Sequence, residues 1–106
     1  MEKVIFIAIM VAVAFLEVGG DILFKKWSLA GQLSLLGLGL AVYLLAAAGW
    51  AFSLKYETLS RAIFIFTIMN LFFGVLAGII FFGDQLTLIQ KIGMTLGIIS
   101  IILIEL

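Results

Sequence analysis

Glu17 and Asp21 are the residues on which chemistry can turn. They stand one helical turn apart in the stretch AFLEVGGDILFKK, residues 14–26, inside a run that is otherwise hydrocarbon. The chain has no histidine and no cysteine. The usual side chain that titrates near neutral pH is therefore missing, as are disulfides and thiolate metal sites. Proton chemistry near neutrality falls to a carboxylate. Burial disfavours the charged form of any carboxylate, and a second acid close by adds to that. A pair so placed suits reversible binding of a proton or a cation.

The two acids differ in depth. Glu17 lies roughly 20 Å along a helix that begins near Lys3, too deep for a short side chain to reach the near interface. A lone charge at that depth costs at least about 2.5–3.5 kcal/mol. The plainer use of Glu17 is a permanently protonated acid in one interhelical hydrogen bond. Asp21 also has two readings. Lys25 follows at i+4, in the favourable acid-before-base order, which allows a local pair near the interface. The alternative is a share in a substrate pathway. Gly19 and Gly20, between the acids, leave room for a neighbouring helix or for a ligand.

Four other side chains could join Glu17. Tyr43 lies mid-way along the second apolar stretch, and a buried phenol needs a partner. A Glu17 carboxylate, from the same or another subunit, could supply it. Phe66 is the aromatic best placed to face a bound cation. Asn70, one turn further, is either interhelical glue or part of a pathway lining. Trp50 is an anchor or a pocket wall. Trp27, expected in the first loop, reads as an interfacial anchor, and Arg61 as a residue that reaches back to the interface.

These residues need elements to position them, and the composition names the solvent. Of the 106 residues 66% are hydrophobic and 11% charged, and the mean hydropathy is +1.42. Soluble domains carry about 25% charged residues. A fold this small could not hide so much apolar surface from water. Six basic and six acidic residues balance, and no basic patch offers itself to nucleic acid. No constellation for an enzyme, a cofactor or a metal stands out.

A membrane helix needs roughly 20 apolar residues. Four such spans are predicted, at about residues 4–24, 33–54, 62–82 and 88–106. They make one all-α integral membrane domain over residues 1–106. The intervening KKWSLAGQ, KYETLSR and GDQLT are expected as breaks, with Ser60 and Asp84 as helix starts. Continuous apolar runs exclude alternating barrel strands. The first run is too long for a cleavable leader and is expected to stay. Four spans put Lys3, Lys55 and Arg61 on one side and Lys25, Lys26 and Lys91 on the other. Basic residues normally set orientation. Three against three leaves two readings: a weak bias that the count misses, or the sharper expectation of two opposite insertions and an antiparallel homodimer. That dimer would supply the inverted repeat on which many transporters build a midplane site. Gly74 with Gly78 forms one small-residue pair, and Gly93, Gly97 and Ser100 form a longer stripe, expected as a dimer seam.

Taken together, LEVGGDILFKK, Tyr43 and GIIFFGDQLTLIQKIGMTLGIISIILIEL resemble the small multidrug resistance family of the drug/metabolite transporter superfamily. The resemblance runs over nearly the whole chain without gaps. It places the family's essential carboxylate at Glu17, its glycine at Gly20, its loop lysine at Lys25, its pocket tyrosine at Tyr43 and its dimer stripe at Gly93. It implies an antiparallel dimer in the inner membrane that exchanges protons for small organic cations by alternating access. The third span departs. Where the family has Tyr-Ala-Ile-Trp-x-Gly-x-Gly, this chain has Ile63, Phe64, Ile65, Phe66, Thr67, Ile68, Met69 and Asn70. The chain is read as a divergent member. The other expectations are a carrier of a lipid-linked or amphipathic metabolite, alone or as half of a heterodimer, and a non-transporting membrane scaffold.

Overall fold

The computed structural model describes the backbone of residues 1–105, and the side chains among them except at 101, 104 and 105. It contains four helices: α1 (Glu2–Ala30), α2 (Leu33–Ser53), α3 (Leu59–Phe82) and α4 (Leu88–Glu105). The first three are long and apolar enough to cross a membrane, and the apolar stretch of α4 at Leu88–Ser100 is shorter. Leu106, the expected end of the fourth span, lies outside the described residues.

Helix ends follow from local chemistry. The first expected break is mostly helical. Lys25, Lys26 and Trp27 continue α1, which stops only at Gly31. There a left-handed φ of 74° lets the Gly31 N–H donate to the Trp27 carbonyl at 2.7 Å. Hydropathy marks where hydrocarbon ends, whereas the backbone goes on until a glycine turns it. Trp27 is thus on the helix and not in a loop. At the start of α3 the cap is Thr58 and not Ser60: the Arg61 N–H donates to Thr58 Oγ1 at 3.4 Å. At the start of α4 the cap is Thr87 and not Asp84. The Gln90 N–H donates to Thr87 Oγ1 at 3.1 Å, and the Thr87 N–H donates to Gln90 Oε1 at 3.0 Å. This reciprocal pair is a capping box. Asp84 instead belongs to the end of α3. Gly83 takes a φ of 65°, and the Asp84 N–H reaches the Gly78 carbonyl at 3.1 Å.

The helices stand in a row, α2 beside α1, α1 beside α3, and α4 mainly against α3. The molecule is accordingly flat, 42 × 35 × 17 Å. Small residues allow the closest approach, between α1 and α2. Gly39 receives the Phe24 ring, and a methyl there would stand 2.7 Å from it. Gly49 receives Val13 in the same way, at 2.8 Å. At the helix ends on the side of the N-terminus, Phe6, Met10 and Ala62 form a buried cluster. Trp50, Leu54, Tyr56 and Phe66 pack around it. That cluster ties the start of α1 to the end of α2 and the start of α3. Many large apolar side chains face outward, among them Leu44, Phe52, Phe72, Ile80 and Ile89. In water this would be a heavy penalty; in lipid it is not.

Candidate functional site

α1 places Glu17 near its own middle, fifteen residues after Glu2 and thirteen before Ala30. At 1.5 Å per residue it lies about 22 Å from the start of the helix. The side chain faces the groove where α2 and α3 flank α1. There it lines a cavity of about 270 Å³ together with Tyr43, Ala46, Ala47, Trp50, Ile63 and Phe66. The two alanines leave the space. The aromatics wall it.

Each wall has a local reason. Trp50 and Phe66 meet at 5.0 Å between ring centroids, tilted by 57°. Trp50 is therefore a pocket wall. Tyr43 packs edge-on against Phe24, with centroids 5.0 Å apart and planes at 62°. Gly20 has no side chain where the Tyr43 ring lies, which is what lets the ring sit against α1. The Tyr43 hydroxyl donates to Asp21 Oδ1. It does not go to Glu17, as the sequence allowed. Asp21 in turn makes no ion pair with Lys25 among the described residues; its partner is the phenol on α2. Glu17 makes no hydrogen bond or ion pair of its own among the described residues, and its carboxylate faces the cavity.

A second cavity, of about 170 Å³, lies between α1 and α3 near the Lys25 end. It is lined by Val18, Asp21, Ile22, Lys25, Gly74, Ala77, Gly78, Phe82 and Asp84. Asp21 therefore stands between two spaces, bonded toward the first and lining the second.

The remaining predicted residues are placed elsewhere. Asn70 is not among the residues lining the Glu17 cavity. Its Oδ1 is buried and has no hydrogen-bond partner among the described residues. Gly19 is separate from Gly20. A methyl at Gly19 would meet nothing within 4 Å, and the residue lines an apolar groove with Phe15 and Phe73. Gly74, Gly93 and Gly97 also face open space, and Ser100 is exposed. Gly93 and Gly97 line a wide groove between α3 and α4, of about 700 Å³. Within one protomer the small-residue stripe of α4 is unfilled. Arg61, in the first turn of α3, pairs at 3.5 Å with Glu57, which precedes the Thr58 cap. Sequence reasoning missed the Thr87–Gln90 box, although Thr-Leu-Ile-Gln carries its spacing.

The site can therefore do one kind of chemistry well. A carboxylate without a hydrogen-bond partner faces an aromatic-walled space in the middle of a membrane-length helix. It can hold a proton or an organic cation, whose charge the rings also favour. No family model matches the chain, and no curated protein matches it.

Proposed function

We propose that the protein exchanges protons for small organic cations across a cell membrane, with Glu17 as the shared binding group. The observation that carries this reading is the cavity of about 270 Å³ in which Glu17 faces Tyr43, Trp50 and Phe66. An ionised Glu17 deep in hydrocarbon is costly, so it holds either a proton or a cation, and one leaves as the other arrives. The rings add attraction for a cation, by about 2 kcal/mol where water is excluded. Ala46 and Ala47 leave room for an organic group rather than a bare ion.

In this proposal the working unit is a pair of oppositely inserted copies, all four helices crossing the inner membrane. Two features support it. Basic residues are balanced three against three between the two ends of the helices. A methyl added at Gly93 or Gly97 of α4 would meet nothing within 4 Å among the described residues, and small residues suit close helix contact in lipid. Opposite insertion gives the pair an inverted repeat, on which many transporters build a site near the midplane.

The test is uptake into proteoliposomes of a panel of organic cations under an imposed pH gradient. Wild type is expected to accumulate a cation against its gradient when protons flow the other way. Glu17→Gln, which keeps the shape and removes the titratable proton, is expected to abolish that coupling. Coupled transport by Glu17→Gln at the wild-type rate would overturn the proposal.

A further inference from the structure

Asp21 and Tyr43 are joined by a hydrogen bond that the sequence does not require, and it decides what Glu17 is offered. Two of the residues lining the Glu17 cavity carry side-chain donors, Tyr43 its hydroxyl and Trp50 its indole N–H. A phenol beside a carboxylate ordinarily bonds to it. Here the hydroxyl donates instead to Asp21, one turn along α1. The ring is held for that purpose on two further sides, by the edge of Phe24 at 5.0 Å and by the bare backbone of Gly20. The Tyr43 ring still lines the cavity, but its hydroxyl is engaged by Asp21 and not by Glu17.

We propose that Asp21 is a positioning residue for the Glu17 site: by accepting the Tyr43 hydroxyl it keeps that donor off Glu17, so an arriving cation meets an unoccupied carboxylate and a ring face. Without the Asp21 acceptor the hydroxyl turns to Glu17 and competes with the cation for it. This deepens the antiport reading and rests on it only for the identity of the occupant. The local pairing of Asp21 with Lys25 would predict none of it.

The inference is tested first without any ligand, by NMR of full-length protein in nanodiscs carrying ¹³Cζ-labelled tyrosine. The Tyr43 signal is assigned by its loss in Tyr43→Phe. Asp21→Ala is expected to shift it, and Asp21→Asn, which keeps an acceptor oxygen, to shift it far less. In Asp21→Ala a further Glu17→Gln change is expected to move the signal again, whereas Glu17→Gln alone leaves it in place. A Tyr43 signal indifferent to Asp21→Ala, or one moved by Glu17→Gln alone, would overturn the proposal. If Asp21→Ala does not fold, the Asp21 carboxyl ¹³C signal decides: it must move in Tyr43→Phe.

The second arm reads binding of tetraethylammonium, chosen as a cation without hydrogen-bond donors. Asp21→Ala is expected to weaken it about tenfold, the worth of one competing charge-assisted hydrogen bond. In the Tyr43→Phe background the same change is expected to have almost no effect, since the competing hydroxyl is gone. Equal losses in both backgrounds would mean that Asp21 touches the cation directly, and would overturn the positioning role. Absence of proton-coupled uptake, with the resonance shifts as expected, would remove the antiport reading alone.

Discussion

Gly20 of α1 and Gly39 of α2 face each other backbone to backbone. A methyl added at Gly20 would stand 3.5 Å from the Gly39 carbonyl oxygen, and one at Gly39 would stand 3.4 Å from the Gly20 carbonyl oxygen. The same two positions receive the rings of Tyr43 and Phe24. This crossing holds α1 against α2 and sets the height at which Tyr43 enters the Glu17 cavity.

Alanine at either glycine must therefore push a clamped ring aside. Overpacking of this kind typically costs about 1–3 kcal/mol. Gly20→Ala and Gly39→Ala are each expected to lower the thermal midpoint of the detergent-solubilised protein and to reduce cation binding. Gly19→Ala meets nothing within 4 Å and is expected to leave both unchanged. Equal behaviour of Gly19→Ala and Gly20→Ala would contradict this packing.

Asn70 carries a different expectation. Its buried Oδ1 has no partner among the described residues, and an unsatisfied buried polar group costs about 1–3 kcal/mol. Asn70→Leu is expected to raise the thermal midpoint of the resting protein. A lower midpoint would mean that the carbonyl has a partner in the resting state.

The start of α4 offers a clean local test. Thr87 and Gln90 satisfy each other's backbone N–H groups. Removing a Thr cap typically costs about 1 kcal/mol. Thr87→Ala is expected to speed amide hydrogen exchange over the first turn of α4 and to leave α1 and α2 protected. Asp84→Ala is expected to leave that turn unchanged, because Asp84 closes α3 and does not open α4.

Much of this was legible in the chain and some was not. The depth of Glu17 followed from helix rise and an unbroken apolar run. Tyr43 and Phe66 were offered as its company by their chemistry, whereas Trp50 stood open between anchor and pocket wall until the cavity placed it. The partner of the Tyr43 hydroxyl did not follow. Glu17 and Asp21 differ by a single turn, and choosing between them needs the rotation of α2 about its own axis, which near-uniform hydropathy does not encode. The continuation of α1 through Lys25 and Trp27 was hidden for a related reason. Hydropathy falls at Phe24, but nothing in KKWSLA forbids helix before Gly31. Glycine spacing likewise named Gly19, Gly20, Gly74 and Gly93 alike, and only packing separated Gly20 from the rest. The Thr87–Gln90 box was readable, and the nearby Asp84 drew attention from it.

Orientation gives a further expectation. With three basic residues at each end of the helices, one added lysine should decide insertion. Ser60→Lys and Gln85→Lys bias the chain in opposite senses. Each alone is expected to lose transport, and the two expressed together are expected to restore it. Full activity of either single variant would contradict the oppositely inserted pair.

The central claim is that proton and cation compete for Glu17. The most direct measurement is proton release from detergent-solubilised protein in weakly buffered solution when tetraethylammonium is added, followed with a pH-sensitive dye. The account predicts release from wild type and none from Glu17→Gln. Cation binding by wild type without proton release, or equal release from Glu17→Gln, would contradict it.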